Sequence, residues 1–156
     1  MLGSIPAARS TTKGFFMAMT LFQIMKKTEL GRQDRSTLTK VVSLRYGISK
    51  KTGFPKAVAK VYSKKSGEAS GTHYGCAVTC QDEKSHVKIS CSCPDFVFSG
   101  SEYLLYKQGA ADLIYGNGEP PVSKPDARPG ACKHLVSMFK ELHSQGKLNQ
   151  KLEFKE

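Results

Sequence analysis

A chain of 156 residues and 17.1 kDa has room for one core-bearing domain of the usual size, roughly 100 to 150 residues, and a tail. With 39% hydrophobic residues and no Trp, eight Phe and six Tyr must anchor a modest core, and a core that small gains from a metal staple. The formal charge of +11 is unevenly placed: residues 1–70 hold 14 Lys/Arg against three acids, whereas residues 71–156 hold ten of each, so a polyanionic partner would be gripped through the first half.

In chain order, residues 1–35 form a basic N-terminal segment with one apolar run, "FFMAMTLFQIM", over residues 15–25. That run falls well short of the roughly 20 residues a membrane-spanning helix needs. Lys26 and Lys27 follow where a secretory signal would place small cleavage-site residues, so the run is read as a short amphipathic or docking helix, and no membrane partner is expected.

Residues 36–146 read as a single β-rich domain. The β-branched and aromatic stretch "LTKVVSLRY", residues 38–46, predicts a first strand, followed by a basic, turn-rich connection from Gly47 to Pro55. In "AVAKVYS", residues 57–63, a second strand puts Val58, Lys60 and Tyr62 on one face and Ala57, Ala59 and Val61 on the other. Residues 73–80 and 86–93 alternate as a hairpin, with Tyr74, Cys76, Val78 and Cys80 sharing a face and Val87, Ile89, Cys91 and Cys93 sharing another. Residues 132–145 place Leu135, Met138, Phe139 and Leu142 at helical spacing before Gly146, and residues 147–156 read as a polar tail. The expected class is α+β: a small antiparallel sheet with a C-terminal helix packed on it.

Two clusters carry the chemistry, "CSCPDF" at residues 91–96 and "CKHL" at residues 132–135, with 38 residues between Cys93 and Cys132. Five cysteines is an odd number, and Cys91 and Cys93 are too close to bridge each other comfortably, which points to a reducing compartment and to metal ligation. Residues i and i+2 of an extended strand lie roughly 6.6 Å apart, so two thiolates at Zn–S distances of about 2.3 Å require the chain to curl. Pro94 ends the ladder and supplies that curl. Cys132 and His134 open the last helix, whose first turn would present them to the strand end. Cys91, Cys93, Cys132 and His134 then close a Cys3His tetrahedron around one structural zinc.

These residues resemble the SWIM-type zinc finger, whose pattern is C-x-C, a variable insert and C-x-H on a β-β-α scaffold. The match covers residues 73–145, about half of the chain, and its insert, residues 97–130, is longer than the family's usual one. The pairing of "YGNGEPP" with "PGACKHL" is also similar to SWIM-like proteins of tailed bacteriophages. Within the insert, residues 101–115 have helix-compatible composition, and Tyr103, Leu104, Leu113 and Ile114 are expected to cover the metal site and the sheet edge. The resemblance implies nucleic-acid binding, as for several members of the family.

Cys76 and Cys80 would lie about 13 Å apart on one strand and are read as small buried residues, and His73, His86 and His143 as surface or locally bonded ones. Arg32, Arg35, Lys50, Lys51, Lys56, Lys60, Lys64 and Lys65 are the candidate phosphate contacts. The last helix offers Lys133, Lys140 and Glu141 and no Arg, which does not suit a base reader. A saturated zinc site leaves no position for substrate, and the deaminase, hydrolase and phosphate-loop motifs are absent, so the chain is expected to be non-enzymatic. Two functions follow: non-specific nucleic-acid binding by the basic half, alone or together with docking onto protein partners, or a structural or assembly role, for instance in a virion, in which zinc only stabilises the fold. The expected location is a reducing cytoplasm or nucleus, or a virion.

Overall fold

Period-two alternation builds four antiparallel strands, β1 (Thr39–Ile48), β2 (Pro55–Ser63), β3 (Thr72–Cys80) and β4 (Val87–Cys91), hydrogen-bonded in the order β1-β2-β3-β4. The computed structural model describes residues 18–64, 70–98, 101–116 and 130–155. On the inner face, Ala57, Ala59 and Val61 of β2 lie beside Val78 and Cys76 of β3, which in turn face Ile89 and Cys91 of β4; all seven are buried. The C-terminal helix α5 (Lys133–Ser144) packs on that face through Leu135, Val136, Met138, Phe139 and Leu142. Each such side chain stabilises the fold by about 1.5–3 kcal/mol through burial. Gly146, at a φ of 77°, ends the helix, and the Lys147 N–H reaches back to the Leu142 carbonyl at 2.9 Å.

Residues 19–24 contribute to this core. Helix α1 (Leu21–Lys27) starts in a capping box between Thr20 and Gln23 and buries Leu21 and Ile24. Met19 accepts a 2.8 Å hydrogen bond from the Val87 N–H, and Ala110 accepts one of 2.9 Å from the Ile89 N–H. Those two carbonyls cover the free edge of β4, which would otherwise offer unpaired donors. Helix α2 (Leu30–Arg35) follows, then a 3-10 turn over Ser36–Leu38 leads into β1. The compositional boundary at residue 35 is therefore not a structural one. Nor are residues 147–155 a detached tail: Leu148 is buried, pairs with Phe154, and the Phe154 ring sits 6.1 Å from that of Tyr46.

Two short helices follow β4, α3 (Pro94–Phe98) and α4 (Ser101–Lys107). The insert's helix ends at Lys107 and does not run on to residue 115, because Gly109 takes a φ of 73° and the Ala110 N–H closes onto the Leu105 carbonyl at 2.8 Å. Buried Glu102 then holds the returning chain, its carboxylate accepting from the N–H groups of Ile114, Tyr115 and Gly116. Leu113 and Ile114, expected to cover the metal site and the sheet edge, are exposed; among the described residues of the insert the buried hydrophobic ones are Leu105, Ala110 and Ala111, and the backbone of Ala110 lies along the edge. Among the described residues no helix is long and apolar enough to cross a membrane.

Candidate metal centre

Cys91 is the last residue of β4, directly across from Cys76 of β3. The ladder stops there, two residues earlier than the strand predicted over residues 86–93. Ser92 still holds the chain to β3, its N–H donating to the Gly75 carbonyl and its Oγ accepting from the Gly75 N–H, both at 3.1 Å. Cys93 then turns inward beneath α3, whose first residue is Pro94; a proline fits there because the first helical N–H has no intrahelical acceptor. The Phe96 N–H points at Cys93 Sγ from 3.3 Å. The curl needed to bring the two thiols together is thus a helix start.

The other two donors come from the beginning of α5. Cys132 is its N-cap residue, with extended backbone at φ −84° and ψ 171°, and His134 lies in the first turn with Nδ1 3.8 Å from Cys132 Sγ. The imidazole packs against Tyr74, with ring centroids 4.7 Å apart, and buried Nε2 has no hydrogen-bond partner among the described residues. The ligand atoms of Cys91, Cys93, Cys132 and His134 all lie within 4.8 Å of one another, and all four residues are buried.

The N-terminal helices fix the two halves of this cluster together. Arg32, only 4% exposed, sends Nη2 and Nε to Asp95, at 3.2 and 3.1 Å, and Nη1 to Ser101 Oγ at 3.0 Å and the Ala131 carbonyl at 3.4 Å. Asp95 stands two residues after Cys93, and Ala131 one residue before Cys132. Thr28 Oγ1 accepts from the Ala131 N–H at 2.9 Å. Gly130 allows that approach, since a Cβ there would sit 2.8 Å from Thr28 Cα.

Electrostatically the cluster is built for a cation. Burial, then the neighbouring Cys91 and Cys93 thiols, push the Cys132 thiol well above its ordinary value. Hydrogen bonds from Cys132 and then Cys91 hold Cys93 below its own. Three crowded, buried thiols cannot all ionise by themselves, whereas a bound divalent ion deprotonates its coordinating thiols outright. Three sulfurs and one imidazole nitrogen, mutually close and shielded from water, are compatible with one structural metal ion.

The remaining Cys and His residues, Cys76 excepted, lie apart from the four donors. Cys80 points its thiol at the Asp82 carbonyl, 3.0 Å away, His86 Nδ1 meets Asp82 Oδ2 at 2.6 Å, His143 is exposed on α5, and His73 lies against Tyr62 on the other face of the sheet. Cys76 alone adjoins the cluster.

The candidate phosphate contacts divide. Arg32 is not at the surface, being buried in the bonds just described, so it leaves that set. Arg35 is exposed on α2, Lys50 and Lys51 on the turn between β1 and β2, and Lys64 just beyond β2; Lys65 lies outside the described residues. Lys56 and Lys60 project from the outer face of β2, opposite α5. Lys40, Arg45 and Lys88 share that face and were not singled out from the sequence. Lys40 and Arg45 are five residues apart, an odd spacing that puts them on opposite sides of a regular strand, but an irregularity between Val41 and Ser43 restores them to one side. Across the sheet the face reads in four rows: Lys40, Tyr62, His73; Ser43, Lys60, Gly75; Arg45, Val58, Ala77, Ser90; and Gly47, Lys56, Thr79, Lys88. These rows contain no Asp or Glu, and Asp112 of the insert lies 3.0 Å from Lys88 Nζ.

No protein-family model matches the chain, and no curated protein or solved structure matches it.

Proposed function

We propose that this chain is a zinc-stapled, non-enzymatic module of the SWIM type that binds nucleic acid through its phosphates without reading sequence. The donor set supports zinc: three thiolates and an imidazole suit a borderline-soft ion with tetrahedral preference. Four protein donors fill that tetrahedron, whereas a catalytic zinc keeps a position for water or substrate. The order C-x-C then C-x-H, at the end of a strand and the start of a helix, supports the SWIM assignment.

The observation that carries the nucleic-acid reading is the outer sheet face, where Lys40, Arg45, Lys56 and Lys60 are exposed with no acidic neighbour on the face. Lys50 and Lys51 extend it at one end, lining a groove with Arg45, Gly47, Ile48 and Lys56, and Lys64 extends it at the other. Phosphate contacts of this kind position a partner and carry no sequence information. The test is oligonucleotide affinity against salt, with a log-log slope of about −0.9 per duplex phosphate neutralised. Replacing Arg45, Lys56 and Lys60 by Gln should flatten the slope equally for unrelated sequences. Absence of binding at low salt would remove this reading.

A second reading, an assembly subunit such as a virion component, is favoured by the exposed apolar side chains of Leu30, Leu38 and Phe98. In that case replacing those three by Ser would prevent joining of the complex, and the Gln variant would not.

A further inference from the structure

We infer that the outer sheet face is a platform for single-stranded nucleic acid, on which unpaired bases stack against Tyr62 and His73 while the row of cations follows the backbone. The inference rests on the nucleic-acid reading and narrows it to a substrate class and a base-contact site.

Three features carry it. Tyr62 and His73 are cross-strand partners on the outer face, with ring centroids 5.1 Å apart and planes inclined at 56°, and His73 is exposed. The pair lies on the solvent side of the sheet, opposite the face that carries the core. The Tyr62 ring is fixed in place: its Oη accepts the Gly71 N–H at 3.1 Å, and a Cβ on Gly71 would lie 2.6 Å from Tyr62 Cζ. A pre-set ring loses little freedom when a base settles on it.

The second feature is room. In the next row Gly75 pairs with Lys60, and a Cβ built on Gly75 would meet nothing within 4 Å among the described residues. A bare glycine between the aromatic pair and Ala77 leaves a flat shelf at the level of the strand backbone. The third is charge placement. Lys40 sits beside Tyr62, Lys60 one row on, and Arg45 and Lys56 in the two rows after that, so each row of the face offers at least one cation to a chain running along β2.

This combination suits a single strand. Bases stack on aromatic rings irrespective of sequence only where they are unpaired and splayed out, and a charged track then follows the phosphates. A duplex buries its base faces within its own stack, and a flat sheet surface enters neither groove.

The test uses the full-length, zinc-loaded chain and three labelled probes followed by fluorescence anisotropy: an oligothymidine strand, an abasic strand with the same number of phosphates, and a duplex. Oligothymidine should bind roughly tenfold more tightly than the abasic strand, the scale expected of base stacking on one or two rings. Tyr62→Ala should remove most of that difference while leaving the salt slope unchanged. Tyr62→Phe, which keeps the ring and loses the bond from Gly71, should retain it, and His73→Ala, at an exposed position, should lower it without risk to the fold. Equal affinity for oligothymidine and the abasic strand would overturn the inference and leave phosphate-only binding standing, and an unchanged difference in both Tyr62→Ala and His73→Ala would overturn it by placing the base contacts elsewhere. Failure of all three probes to bind at low salt would overturn the inference and the nucleic-acid reading together.

Discussion

Cys76 Sγ lies 3.5 Å from Cys91 Sγ, its direct partner across the β3–β4 ladder. A fifth sulfur therefore touches the four-donor cluster without entering the set of mutually close ligand atoms. At this place a thiol can donate a weak hydrogen bond to a ligand thiolate, which orients that ligand and moderates its charge. Cys76→Ala should accordingly keep one equivalent of zinc by metal analysis and lose about 1 kcal/mol of stability from the vacated volume. Stoichiometric loss of zinc in that variant would place Cys76 among the ligands.

Arg32 binds the two halves of the site through Asp95 and the Ala131 carbonyl, and its removal takes the bonds of a buried guanidinium away from both. Arg32→Ala should cost about 2–4 kcal/mol in denaturant unfolding, less than the full penalty for a buried pair because Asp95 is partly exposed. Zinc transfer to a chelator should also accelerate. Arg32→Lys should rescue little, since a single ammonium cannot span Asp95, Ser101 and Ala131 as a planar guanidinium does. An unchanged unfolding midpoint and transfer rate in Arg32→Ala would contradict this role.

At the β3–β4 hairpin, partial burial pushes the Asp82 carboxyl up, but hydrogen bonds from the His86 side chain and from the backbone N–H groups of His86 and Lys84 outweigh it and hold the group below its ordinary value. A carboxylate depressed in the folded state adds stability that is fully present above the unfolded value, about 3.9 for Asp, and is lost as pH falls through the folded value. The stability difference between the wild-type chain and Asp82→Asn should therefore shrink as pH falls below about pH 4. Acid release of metal acts on both proteins and cancels in the difference. A difference that grows below about pH 4 would contradict the argument.

Much of the fold lay in the period-two patterns: the faces of β2, with Ala57, Ala59 and Val61 inward and Lys60 outward, follow from alternation alone. The helix start at Cys132 and the stop at Gly146 were equally legible, since capping and left-handed termination are local. Contacts between distant segments were not. Arg32 reads as one more cation of a basic half, and nothing near it announces Asp95, 63 residues on, or Ala131, 99 residues on. Helix α3, five residues long, is too short for a periodic signal, so Pro94 read only as a strand breaker. The bulge in β1 shifts parity within a strand whose apolar pattern is weak, which hid Lys40 and Arg45 from the cationic face. Leu148 and Phe154 sit in a stretch too polar on average to be read as packed.

X-ray absorption at the zinc edge, on protein purified without chelator, tests the central claim most directly. The account predicts one zinc per chain with three sulfurs at about 2.3 Å and one nitrogen at about 2.0–2.1 Å. It further predicts that His134→Cys shifts the shell to four sulfurs while the zinc stays bound. A chain without zinc, a shell containing oxygen, or a four-sulfur shell in the wild-type protein would contradict it.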